Sequence, residues 1–358
     1  MREFLSQERA TPALPSPVRV PEPVVKQAHA LVPDLLRAKP AVYYADMLLS
    51  AAVGWGALFA SGTARGAMRG FFFLVAVLAL LRAVSFIHEV THLRPGAVPG
   101  FSLAWNALIG VPWLFPSMLY EGVHGVHHAR AHFGTRRDPE YLPIGRWPRW
   151  KIVLWVLHAA LLPVVLVLRF LVLAPLSAFS PRVRRWVWAK ASGLSINPAF
   201  ERAPPADAQR RSFFAQELTC SAWAFALATL TAARVVPVRA VLLGVAAAAT
   251  VGVLNQLRTA TSHRFRNDGA ELTFEEQFLD SVNVTGHPLT ALWAPVGLRY
   301  HALHHLLPGL PYHALGEAHR RIAAALPADS SYRRTHEPGL RAVLGALVRE
   351  QRACVRDG

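Results

Sequence analysis

The sequence predicts an all-α integral membrane bundle: four transmembrane helices in two hairpins, with a cytoplasmic helical cap. Three observations lead there. Of the 358 residues, 53% are hydrophobic and only 17% charged, with a mean hydropathy of +0.27, which is outside the habit of soluble domains. Several apolar runs approach the ~20 residues a helix needs to cross ~30 Å of hydrocarbon. The formal net charge is +16, from 38 Lys+Arg against 22 Asp+Glu. In so apolar a chain that excess marks loops held on the cytoplasmic side against anionic lipid, and nucleic-acid binding is the weaker explanation. The two cysteines, Cys220 and Cys354, provide neither a disulfide framework nor a thiolate metal site.

Residues 1–40 hold several prolines and both signs of charge, without the pattern of a signal peptide. They read as a mobile or surface-lying cytoplasmic arm. The domain that follows, residues 41–320, opens with apolar runs from about Tyr43 to Ser61 and Met68 to Ile87, joined around Arg65. These form the first hairpin. Runs from Phe214 to Ala232 and Val238 to Leu257 form the second. Two further apolar stretches, Leu103 to Leu119 and Ile152 to Phe179, are read differently. The second contains Pro163 and Pro175 and is flanked on both ends by basic residues, among them Arg146, Arg149, Lys151, Arg182, Arg184 and Arg185. Basic flanks on both ends favour entering and leaving on one side. Leu103 to Leu119 is therefore expected as an interfacial or re-entrant helix, and Ile152 to Phe179 as a proline-bent hairpin or in-plane pair. Residues 321–358 are expected as a helical cytoplasmic tail.

Eight of the 16 histidines gather in three clusters: His88 and His92 in HEVTH, His124, His127 and His128 in HGVHH, and His301, His304 and His305 in HALHH. Positions i and i+3 or i+4 share one helical face, so each cluster can aim its imidazoles at one point. Imidazoles beside a membrane are costly unless hydrogen-bonded or metal-bound. Without thiolates, the candidate metals are zinc, copper, nickel and iron, and eight or nine nitrogen ligands exceed one tetrahedral site. A two-metal centre is the economical count. The expected topology puts all three clusters on the same face.

With these boxes placed around two hairpins, the chain resembles the membrane fatty acid desaturase and hydroxylase superfamily from about residue 43 to 320. Asp138-Pro139-Glu140-Tyr141-Leu142-Pro143 after the second box is similar to bacterial desaturases, and Leu306 to Tyr312 after the third looks like the family's HHLxPxxPY ending. The resemblance implies a non-haem di-iron centre on the cytoplasmic face that uses O2 as co-substrate. Its ligands would be the eight box histidines plus His263, which stands where the family has a further histidine. Thr259 stands where the stearoyl-CoA type has an asparagine that holds a water. Asp138, Glu140, Glu275, Glu276 and Asp280 are possible acceptors for the ring N–H groups behind the ligands, as second-sphere supports. Asn283 and His287 are ranked as supporting or structural. The leading reaction is desaturation of a fatty acyl chain carried on CoA, acyl carrier protein or phospholipid. Hydroxylation or ketolation of a lipid or carotenoid is the alternative on the same site. Two electrons must come from a separate donor, such as a ferredoxin and its reductase, docking on the basic face.

Two readings of another class compete. HEVTH is also a literal HExxH, the zinc metalloprotease signature with Glu89 as general base, but that leaves both HxxHH clusters unexplained. A divalent-metal transporter would place its ligands near mid-membrane rather than at helix ends.

Overall fold

The computed structural model describes residues 22–347. Among them nearly everything regular is helical. α1 (Glu22–Ala30) leads into α2 (Pro40–Thr63) and α3 (Ala67–His92), then α4 (Phe101–Gly110), α5 (His124–His127), α6 (Arg149–Ala178), α7 (Pro181–Ala191), α8 (Asp207–Ala232), α9 (Val238–Thr259), α10 (Phe274–Asp280), α11 (His301–Leu306) and α12 (Tyr312–Ala325), short single turns aside. The strands β1 (Asn283–Val284) and β2 (His336–Glu337) form a two-residue parallel ladder.

α2 and α3 are an antiparallel pair whose core is Tyr43, Met47, Ala51, Leu58, Val77, Leu80 and Phe86. Gly54 permits the approach: a Cβ there would lie 2.6 Å from Leu80 Cγ. Among the described residues, four helices are long and apolar enough to cross a membrane, namely α2, α3, α6 and α9. The number agrees with the sequence, but one member differs. α8, expected as a crossing over Phe214 to Ala232, is present at 26 residues, yet it carries Gln216 and Glu217 among its apolar residues and falls outside that set.

α6 is also not a bent hairpin. It is one helical run whose prolines are absorbed by changes of pitch: a tight 3-10 turn at His158–Leu161 precedes Pro163, and a wide π turn at Arg169–Leu173 precedes Pro175. Each proline thereby falls in the first turn of a new segment, where its missing N–H costs little. α6 packs against both α8 and α9, so the expected second hairpin has a third helix wedged into it. Its start lies beside Arg146, which pairs with Asp268 in the segment that follows His263. Arg169 donates to Ala191 O, Ser192 Oγ and Glu217, and Ser192 O and Glu121 O both accept from Arg202. Arg146, just before α6, and Arg169, ~30 Å along it, are thus tied to the segments that follow His263 and precede His124. The stretch after α3 is only a short helix ending in a π turn, too short to cross.

The described part of the N-terminal arm is packed. Val24, Ala28 and Val32, spaced by four, lie buried against Ala318, Ile322 and Leu326 of the α12 region, so of the two expectations, mobile or surface-lying, this part follows the second. Residues 1–21 and 348–358, including Cys354, lie outside the described residues. The tail docks Val343 on Val282 and Val284.

Candidate metal centre

α3 delivers His88 and His92 in its last two turns. α5 delivers His124 and His127, with His128 just beyond its end, and α11 delivers the third box. His263 follows the end of α9 and is held by an antiparallel bridge to Ser281. The nine imidazoles meet in two groups, His88, His92, His124, His128 and His304 in one and His127, His263, His301 and His305 in the other. Within each group the ligand atoms lie within 4.8 Å of one another. Six of the nine are buried and three half-buried.

The orientation of the rings tests whether a metal fits. In the first group the Nε2 atoms of His124, His128 and His304 face one another at 3.0 and 3.1 Å, with both His88 nitrogens and His92 Nε2 buried and unpartnered. In the second, Nε2 atoms of His127, His263, His301 and His305 are linked at 3.2, 2.9 and 3.1 Å. Behind them, Nδ1 of His127 donates to Asp138 at 3.0 Å, and Nδ1 of His124 meets Glu140 at 2.6 Å. Rings that spend their N–H outward turn lone pairs inward, and converging lone pairs repel unless a cation lies between them. The donor set therefore fits two metal ions held through Nε2. Burial first, and then neighbouring imidazoles, push His124, His128, His304 and His305 well below the usual histidine range. For His263 and His301, burial and neighbouring imidazoles are joined by the charge of Arg258. These rings are neutral, as metal ligands must be. At His127 burial acts the same way, but Asp138 outweighs it and holds that ring above its ordinary value.

Of the supporting candidates, Asp138 is fully buried and also accepts from the backbone N–H groups of Gly134 and Glu140, each at 2.8 Å. Glu140 accepts from Tyr120 as well, and burial above all raises it to about 7. Asp280 lies 3.6 Å from His263 Nδ1 and is raised by burial to about 6. Asn283 touches no ligand ring. It accepts from Leu303 N–H inside the third box and donates to Thr335 Oγ1, fixing α11 on β1. His287 is not brought to the site: its Nδ1 accepts from Leu289 N–H in its own exposed loop, where Pro288 follows it directly. Glu276 forms a capping box with Thr273 at the start of α10 and stays away from the metals, as does Glu275. Tyr120, stacked on His124 with ring centroids 4.8 Å apart, was missed, although its i, i+4 spacing from His124 is a usable signal.

Glu89 decides between chemistries. Its carboxylate accepts from Tyr43 Oη of α2 and, at 3.1 Å, from the backbone N–H of Tyr312. Tyr312 Oη in turn reaches Asp46, the ion-pair partner of Arg82. Both bonds fall on Oε2, which ties α2, α3 and α12 together, while Oε1 stands 3.5 Å from Nδ1 of His88; a carboxylate so engaged is a support of the fold, and the protease reading still leaves the other two histidine clusters unexplained.

A family model for fatty acid desaturases matches residues 67–336. A ceramide hydroxylase of Caulobacter vibrioides (strain NA1000 / CB15N) is 47% identical over 331 residues, 92% of this chain and 94% of its own length. No solved structure matches.

Proposed function

Since this chain belongs to the fatty acid desaturase family, an oxidoreductase family of multi-pass membrane proteins, we propose that it is an O2-dependent di-iron hydroxylase acting on a ceramide-like lipid. The observation that carries the metal chemistry is the pair of imidazole groups with Nε2 atoms turned inward. The sequence ranks desaturation first. The 47% identical relative, a ceramide hydroxylase, favours the alternative, hydroxylation.

His88, His92, His124, His128 and His304 would hold one iron, and His127, His263, His301 and His305 the other. When bound, the irons supply the reductive activation of O2. The net change is R–H + O2 + two electrons + two H+ giving R–OH + H2O. The chain's own residues do the rest. Asp138 and Glu140 fix the tautomers and orientation of His127 and His124, and Ser281 Oγ, 3.3 Å from Nδ1 of His263, orients that ring. Phe133 and Tyr141, packed on the ring of His263, wall that side from water. The electrons come from a separate one-electron carrier of acidic surface, such as a ferredoxin with its reductase. It docks on a cytoplasmic face where Arg136 and Arg137 stand exposed beyond the second box.

The test is turnover of purified protein with iron, a reductant system and ceramide, analysed by mass. Gain of one oxygen supports hydroxylation; loss of two hydrogens restores the desaturase reading. With an acidic carrier the rate should fall several-fold between low and physiological salt, and a salt-independent rate removes the docking surface.

A further inference from the structure

A polar cleft of about 690 Å³ lies between the segment carrying the second histidine box and the loop that leads into α8. Val126 of HGVHH forms part of its wall, yet none of the nine imidazoles of the metal centre lines it. It is a separate space, of the size that small organic ligands occupy.

Three arginines, Arg136, Arg137 and Arg202, line the cleft against two carboxylates, Glu121 and Glu201, and both carboxylates are engaged elsewhere. Glu121 accepts from Ser117 Oγ, and Glu201 pairs with Lys190 at 3.0 Å. Among the described residues none of the three guanidiniums has a carboxylate within ion-pair distance. Arg202 is only 7% exposed. Its guanidinium sits at the cleft wall, donating to Glu121 O at 2.6 Å and standing 5.4 Å from the ring of Phe213, another lining residue. Burial pulls its pKa down to about 10, so it stays charged at neutral pH, and a buried cation without a counter-ion is costly. Two more features end at the same space. Ala206, the N-cap of the 26-residue α8, offers no side-chain acceptor to the first N–H groups of the helix, and it lines the cleft with Gln209. Asp207 of that turn is paired with Arg210. His132 lines the cleft as well, with Nδ1 buried and unpartnered. Exposed arginines on a cytoplasmic face are ordinarily just solvated, and Arg136 and Arg137 alone would say no more. Solvation does not account for a buried, unpaired Arg202 and an uncapped helix meeting at one cleft.

We propose that the cleft binds a phosphate ester: the phosphate supplies the counter-charge to Arg202 and accepts from Arg136 and Arg137, while the organic body packs along Phe200, Pro204 and Pro205. Three cations outnumber what one carboxylate offsets, and the guanidinium fork matches a phosphate. Phosphate alone would leave most of the cleft empty, so the ligand carries a body. The same chemistry is offered by a phospholipid headgroup at the membrane surface and by a soluble metabolite. The assignment is independent of the reaction at the metal centre.

Binding is measured by calorimetry on the full-length protein in phosphatidylcholine nanodiscs, with phenyl phosphate, inorganic phosphate and phenylacetate as probes. Phenyl phosphate should bind, and the other two should bind more weakly. Arg136→Gln/Arg137→Gln, on exposed residues that leave folding intact, should weaken phenyl phosphate about 10- to 100-fold, the range of charge-assisted hydrogen bonds. Arg182→Gln/Arg185→Gln removes the same charge from exposed positions of α7 outside the cleft and should leave binding unchanged. Nanodiscs containing phosphatidic acid separate the two sources: displacement of phenyl phosphate identifies the lipid headgroup as ligand, and undiminished binding identifies the soluble ester. Equal weakening by the two double variants overturns the proposal, since it reports a generally basic surface. Phenylacetate binding as tightly as phenyl phosphate overturns the phosphate assignment. So does an acidic carrier protein binding through Arg136 and Arg137 where no phosphate ester does.

Discussion

Asp138→Asn should empty one metal seat and spare the other. In the native chain the carboxylate is shared among three donors: His127 Nδ1 at 3.0 Å from both oxygens, Gly134 N–H at 2.8 Å and Glu140 N–H at 2.8 Å. Replacing one oxygen by an amide nitrogen turns an acceptor into a donor in a fully buried position. Either a backbone N–H loses its acceptor, costing about 1–3 kcal/mol of stability, or His127 rotates or changes tautomer and withdraws its Nε2 lone pair. Loss of such an outer partner lowers metal affinity about 10- to 100-fold. The effect belongs to the group of His127, His263, His301 and His305, because Asp138 touches no member of the other. The assay is metal content per chain after dialysis against graded chelator, with the melting temperature of the metal-free protein followed in parallel. The expected result is a plateau near one metal where wild type holds two, with Glu140→Gln giving the complementary loss through His124. Full retention of two metals at every chelator concentration would refute the reasoning, as would loss of both at once.

Glu89→Gln should preserve turnover and lower stability by about 1–2 kcal/mol, since Tyr43 and Tyr312 lose a charged acceptor; a denaturant melt beside an activity assay checks it, and abolished turnover with intact folding would revive Glu89 as a base. Gly54→Ala should destabilise by about 1–3 kcal/mol through overpacking against Leu80, seen as a lowered melting temperature, and an unchanged one would contradict the close approach of α2 and α3. His319 and His336, each held near a pKa of about 4 mainly by burial, are neutral in the folded chain. The unfolded chain takes up their protons from about pH 6.5 downward, so their share of stability is complete above 6.5 and is lost as pH falls toward 4. A His319→Gln/His336→Gln variant should show a shallower fall in melting temperature over that window than wild type, and parallel curves would refute it.

The sequence disclosed the gathering of the histidines far better than the path between them. Histidine clusters are legible because spacing on a helix converts directly into a shared direction, and His263 became legible through resemblance. α6 was misread because proline was taken as a break, whereas changes in helical pitch on either side let the helix continue through Pro163 and Pro175. His287 entered only through an NxxxH spacing with Asn283 in a stretch that reads as a loop, and there the chain turns at Pro288 and keeps His287 on its own backbone. Glu89 could be read as a catalytic base only while its partners, 46 residues before it and 223 after it, were out of sight.

The division of the imidazoles also sets an order of events during biosynthesis. By the time residue 128 has left the ribosome, the first group has four of its five members, His88, His92, His124 and His128, while the second has only His127. His263, His301 and His305 arrive 135 residues or more later. One seat can therefore be loaded while the chain is still being made, and the other only when translation is nearly finished. On the proposed di-iron chemistry, which would need both seats filled, an incomplete chain would stay silent.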